Sequence, residues 1–453
     1  MTSRTGHRLF AATAAILQNP ATLPERAAEA YQHALDAAGD GIFVSMVPRD
    51  AVLAAVQGTE RRLRDGDALP LAGTFFTAKD NIDVAGLRTG SNVPGYGLVP
   101  TESAPTVLAA EKAGAILIGK TTMDQFATGL NGTRTSGTIC RNAINPEYIP
   151  GGSSSGSGVA VARGLCDFSL GSDTGGSGRV PAAANGIVGL KPSLGLVSSR
   201  DMVYCNRSFD CIPVLAKTVA QAFAVLDTIA GYDPADPYSR EDASAIQLDA
   251  PHGAVGKLAV LRAADLDFFG DANAAAAYAR NVGRLSTLGH ALEEIDFAPF
   301  REAGDMVFKS ALVAERLLDY GDFIDASPGA VVDAVRTAIN AGRAYSARDL
   351  YAVLHRLQAL KRETRAALGT CAALVVPTIP RLYTIAEMCA DPVAKNTVMG
   401  TYTYFVNPLD LCAVSVPGHV RPDGLPSALS FVARDGHDAV LRRLGGEFEL
   451  DQT

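Results

Sequence analysis

The chain has 453 residues, 47% of them hydrophobic and 19% charged, with a formal net charge of −8. That length and apolar content suit a large buried core, and the acidic balance argues against a nucleic-acid partner, which calls for a basic face or stripe. The opening stretch "MTSRTGHRLFAATAAILQNP" has an apolar run too short and interrupted for a signal peptide or a membrane span, and reads as an amphipathic surface helix. Seven cysteines, without CxxC pairs or nearby histidines, predict a reduced, cytoplasmic protein with no metal.

The texture changes near residue 70 and again near residue 220. Residues 8–39 and 49–65 are Ala-rich, with Leu53, Val56 and Leu63 at helical spacing, and read as a helical cap outside the core. From Leu71 to Thr218 helix and strand alternate. "GTFFTAKD" ends a short apolar run, "TVLAAEKAGA" is helical, "AILIG" is a buried strand, "GVAVARGL" a helix, and "DFSLGSD" a strand feeding a turn. Such alternation favours an α/β sheet covered by helices on both faces. "AGYDPADPYSRED" is a breaker-rich connection. "KLAVLRA" then reads as a strand, 274–287 as a helix, and 301–366 as mostly helical. "CAALVVPTIP" and "ALSFVARD" follow as strands, and a last helix lies near 437–449.

The chemistry concentrates in "GGSSSGSGVAVARGLCDFSLGSDTGGSGR", residues 151–179. A serine hydroxyl needs a base to become a nucleophile, usually histidine. All seven histidines lie outside residues 34–251. The alternative base is a lysine held neutral by burial, its pKa brought down from about 10.4 in water. Lys79, at the end of "LAGTFFTAK", occupies the end of a buried strand, where α/β folds place functional groups. In "DTGGSGR" the glycines let backbone N–H groups of Thr174, Gly175, Gly176 and Ser177 converge as an oxyanion hole. "GGSSSGSG" alone has the composition of a linker, but a linker does not run straight into "VAVARGL"; a phosphate loop is disfavoured because the GK[ST] ending is missing.

Together, "AKDNID", "GGSSSGSGVAVA", "GSDTGGSGRVPAA" and "GLKPSLG" resemble the amidase signature family. The resemblance implies a Ser-cisSer-Lys triad, with Ser177 as nucleophile, Ser153 as the bridging serine in a cis peptide and Lys79 as base. Ser172, Asp173 and Arg179 match positions that support the loop. It further implies the amidase signature fold, a large mixed β-sheet covered by helices on both faces, as a single domain over residues 1–453. Within it, 1–70 form the helical cap, 71–220 the signature core, and 221–453 the rest of the sheet and the substrate-specificity helices. No cofactor is implied.

A narrower resemblance lies in "TTMDQFATGLNGTRTSGTICRN", "SFDCIPVLAKTV" and "YTIAEMCADPVAKNTVMGTYTYFVNPLDLCAVSVP", which look like the allophanate hydrolase branch. In that branch a helix ending in "VAER" supplies an arginine to the substrate carboxylate; here "MVFKSALVAER" places Arg316 there, with Gly129 a further substrate-binding position. The implied activity is hydrolysis of allophanate, N-carboxyurea, with release of ammonia, in urea degradation. Two departures stand out: Phe308 replaces the branch's usual tyrosine, and Leu194 stands where it usually carries arginine. They leave open a different small carboxylate-bearing amide, such as malonamate or a biuret-like compound. A glutaminase subunit of a tRNA-dependent amidotransferase shares the signature, but "GTYTYFVNPLDL" argues against it. The resemblance also implies homodimerisation; as a further departure, the chain is expected to lack the C-terminal accessory domain often found in the branch.

Overall fold

The structure is a computed structural model that describes residues 10–251 and 255–449. Its strands are β1 (Phe43–Met46), β2 (Phe75–Lys79), β3 (Ile116–Thr121), β4 (Phe168–Leu170), β5 (Val188–Lys191) and β6 (Val214–Ala216) in the first half. They continue with β7 (Leu258–Leu261), β8 (Leu292–Ile295), β9 (Ala373–Pro377), β10 (Leu411–Pro417) and β11 (Ala428–Arg434). All join one mixed sheet in the order β1-β3-β2-β4-β6-β5-β10-β11-β9-β7-β8. β2 runs parallel to both β3 and β4, and β7 parallel to β8 and β9; the central strands pair antiparallel.

Strand periodicity explains why both faces are covered. Phe76, Ala78, Val375, Val414 and Phe431 point to one side, into a core closed by helices Pro105–Lys112, Val219–Ile229, Ala272–Thr287 and Asp438–Phe448. Their neighbours point the other way. Phe75, Ile116 and Ile118 meet helices Leu23–Asp36, Arg49–Arg64 and Ser155–Ala162. Leu374, Val376 and Ala413 meet helices Ala298–Lys309 and Ala347–Leu368.

The expected elements appear, with five further strands that the sequence pattern does not reveal. β1 corrects the helical reading of the N-terminal segment: between its helices the chain adds an edge strand, pairing antiparallel with β3. The stretch read as an amphipathic surface helix falls partly on residues 1–9, outside the described residues. Ala11–Gln18 is helical, and Ile16 on that helix is buried. β8, "LEEI", is a polar edge strand, and β5, "VGLK", is short and carries a glycine.

That glycine positions the site. Helix Arg179–Ala184, which follows Ser177 directly, lies against β5 at Gly189, where a Cβ would come within 2.7 Å of Ala182 Cβ and 2.9 Å of Gly178 O. The glycine is there for close approach. Gly189→Ala is expected to push the helix off the strand and lower stability by about 1–3 kcal/mol, read as a lower urea midpoint; an unchanged midpoint contradicts this packing.

Candidate active site

The parallel register of β2 and β4 brings the lysine to the serines. Ala78 pairs with Leu170, so Lys79 and the loop beginning at Gly171 leave the sheet together. Lys79 is fully buried, with Nζ 2.6 Å from Ser153 Oγ and 2.7 Å from Ser172 Oγ. Its partners are hydroxyls. Burial lowers its pKa from 10.5 to about 7, against the opposing pull of Asp124, Asp210 and Asp173. Asn81 donates to Ser172 Oγ at 3.2 Å and to Val203 O at 2.8 Å, holding the second hydroxyl in place.

Ser153 follows a cis peptide bond from Gly152. Asp124 N–H donates to Ser153 O, and Ser154 N–H to Ser177 O at 3.2 Å, so the two serine-bearing loops are joined through the backbone. The buried Asp124 carboxylate also accepts the N–H groups of Asn131, Gly132 and Arg134, fixing the next turn.

Ser177 sits in a loop tied down from below. The Asp173 carboxylate accepts Arg179 Nε at 3.0 Å and Nη2 at 2.9 Å, together with the N–H groups of Gly176 and Gly178. Burial alone would raise its pKa. The Arg179 guanidinium prevails and holds it at about 2. Arg179 also reaches Thr403 O and Asn407 Oδ1, Asn407 donates to Asp173 O at 2.7 Å, and Thr403 Oγ1 donates to Gly175 O at 2.8 Å. One expectation changes here. Gly176 N–H, assigned to the oxyanion hole, is committed to Asp173, whereas those of Thr174, Gly175 and Ser177 have no hydrogen-bond partner among the described residues. The side-chain acceptor three residues upstream takes the donor that the glycine pattern makes available.

Above this loop lies a cavity of about 240 Å³ lined by Ser177, Thr174, Gly129, Arg134, Phe308, Arg316 and Tyr404, among others. Phe126 and Ala127 both take left-handed backbone (φ 50° and 51°), a reversal that carries residues 127–130 into its wall. A Cβ on Gly129 would lie 2.6 Å from Asp124 Oδ2, so only glycine fits. Arg316 is buried: Nε donates to Asn206 Oδ1 at 2.8 Å, and neither Nη1 nor Nη2 has a partner among the described residues. Its guanidinium carbon lies 4.8 Å from the centre of the Phe308 ring, which packs in turn on Tyr404 with centroids 4.3 Å apart. Leu194 is half-buried in the turn after β5 and does not line this cavity, so the departure at that position leaves the cavity wall unchanged.

A family model described as Amidase matches residues 26–441. The chain belongs to the amidase family. It is accordingly an amidase, hydrolysing C–N bonds. It is 33% identical over 412 residues to the urea amidolyase of Saccharomyces cerevisiae, covering 90% of this chain and 22% of that protein, about a fifth of its length. It is also 33% identical over 431 residues to a glutamyl-tRNA(Gln) amidotransferase subunit from Deinococcus deserti, covering 86% of this chain and 85% of that one. Among solved structures, the allophanate hydrolase of Kluyveromyces lactis superposes with a TM-score of 0.89 at 31% identity, over 98% of this chain and 73% of the other.

Several residues of this amidase site carry no role in the sequence reading: Asn81, Asp124, Arg134, Asn206, Asp210, Thr403 and Asn407. All but Asn206 lie within the quoted motif stretches, yet what they do depends on partners elsewhere in the chain. Asp210, for example, accepts the Thr174 hydroxyl and the Cys205 and Asn206 N–H groups; burial raises its pKa to about 7.

Removing Arg179 leaves Asp173 buried without its countercharge. Arg179→Met is expected to cost about 3–5 kcal/mol in denaturant unfolding. The wild-type share of this pairing is present above the ordinary carboxylate range and lost as pH falls through about 2. A loss below about 1 kcal/mol contradicts the clamp.

Proposed function

We propose that this amidase cleaves the amide of a small carboxylate-bearing substrate, with allophanate foremost, through an acyl-enzyme on Ser177. The observation that carries the reading is one cavity bordered by both Ser177 and Arg316, the latter with two buried terminal nitrogens that have no partner among the described residues. A buried guanidinium without a countercharge is costly until an anion reaches it, and its planar fork suits a carboxylate. The likeness to a urea amidolyase and an allophanate hydrolase supports the same substrate.

In the proposed reaction Lys79 is neutral, with one lone pair and two N–H groups. The lone pair accepts the Ser153 proton, Ser153 accepts that of Ser177, and Ser177 Oγ attacks the amide carbonyl. The N–H groups of Thr174, Gly175 and Ser177 receive the oxyanion. The proton returns through Ser153 to the leaving nitrogen and ammonia departs; water then hydrolyses the ester by the same relay. With allophanate, the product is N-carboxycarbamate.

Phe308 favours a second reading. Its ring covers Arg316 without offering a hydroxyl, so a substrate that needs less hydrogen bonding at that wall, such as malonamate, competes with allophanate.

Ammonia release from allophanate, malonamate, biuret, malonamide and glutamine tests these readings. Ser177→Ala is expected to abolish every activity, and Arg316→Ala to raise KM at least tenfold for the carboxylate-bearing substrates. Full activity of Ser177→Ala overturns the mechanism; hydrolysis of the neutral malonamide and biuret alone overturns the substrate class. Because only neutral Lys79 accepts a proton, kcat/KM is expected to climb with pH and level off above about 7; a profile flat from about pH 5.5 to 8.5 contradicts the assignment.

A further inference from the structure

Arg316 meets a neutral partner at its one occupied nitrogen. Asn206 is fully buried, and its Oδ1 accepts Arg316 Nε at 2.8 Å. Its Nδ2 donates to Leu312 O at 2.9 Å and to Glu315 Oε2 at 3.2 Å, so the amide orientation is fixed by the turn Ala311–Glu315 that precedes the arginine. The other oxygen of Glu315, Oε1, is held by Ser208, whose N–H and hydroxyl both donate to it. The adjacent carboxylate thus meets Asn206 Nδ2 and Ser208, with no hydrogen bond or ion pair to the guanidinium among the described residues, and an amide oxygen is what Arg316 Nε meets.

Two consequences follow from that arrangement. Occupying Nε leaves the Nη1–Nη2 edge as the remaining donor edge, while the Phe308 ring covers one face of the guanidinium. An incoming carboxylate thus has one in-plane, two-point approach. The same corner also reaches the serine loop: Asn206 N–H donates to Asp210 Oδ2 at 3.3 Å, and Asp210 accepts the Thr174 hydroxyl. Arg316 and the residues beside Ser177 are held against one short segment, 205–210.

We infer that Asn206 is the positioning residue for carboxylate recognition: it orients Arg316 through Nε and, being uncharged, leaves the guanidinium's charge for the substrate. This rests on the proposed role of Arg316 and goes beyond it by naming what keeps that arginine available. Specificity for acidic over neutral amides then depends on an asparagine that does not itself touch substrate.

The test is steady-state hydrolysis of allophanate and malonamate against neutral malonamide by two variants, each with its unfolding midpoint. Asn206→Ala removes the orienting acceptor. Asn206→Asp combined with Glu315→Gln installs an internal countercharge of nearly the same shape, the second substitution relieving repulsion between neighbouring carboxylates. Both are expected to raise KM for the acidic substrates at least tenfold while changing kcat less than threefold, and to leave kcat/KM for malonamide within threefold. A KM within twofold of wild type in either folded variant, or a fall in kcat with KM unchanged, overturns the inference. If one variant fails to fold, the other decides. Arg316→Ala separates the two levels: a raised KM there without one in the Asn206 variants sinks this inference alone, whereas an unchanged KM in Arg316→Ala sinks the proposed anchor beneath it.

Discussion

The site depends on an amine taken out of water at the end of β2. Lys79 is fully buried, its nearest partners are two hydroxyls, and burial brings its pKa to about 7. An ion pair at Nζ would have kept the charge and left no lone pair for the proposed base; the hydroxyls permit the neutral form. Much of the surrounding structure serves this placement. The parallel register of β2 and β4 delivers Ser172, helix Ser155–Ala162 brings Ser153 from the other side, and Asn81 fixes Ser172.

The charges that remain are divided between two uses. Asp173 and Arg179 neutralise one another in a closed cluster that shapes the Ser177 loop and fastens it to Thr403 and Asn407. Arg316 sits in the same region with a neutral partner and two terminal nitrogens that have no partner among the described residues. The first arrangement is satisfied within the fold; the second is not, which is what supports the proposed role of Arg316 in binding an anion.

What the sequence shows of this site follows how locally each feature is encoded. Lys79, Ser153, Ser177 and Arg316 each stand in a compact motif, and the α/β alternation before residue 220 is strong enough to predict a sheet covered on both faces. The edge strands β1 and β8 are short and partly exposed, so their patterns are weak, while β5 contains a glycine whose reason is a helix packed against it. Asn407 is separated from Asp173 by 234 positions, and Asn206 from Arg316 by 110. Nothing in the local pattern of either asparagine records its partner. The commitment of Gly176 N–H to Asp173 is hidden for a similar reason: the glycines advertise free donors, and only the fold reveals which is taken.

The most direct measurement is the protonation state of Lys79 itself, followed by NMR of ¹⁵N-labelled lysine across pH, with the resonance assigned by its loss in Lys79→Met. The account predicts a neutral amine above a midpoint of about 7. An Nζ that stays protonated through about pH 9, near the ordinary lysine range, would contradict it and remove the proposed base.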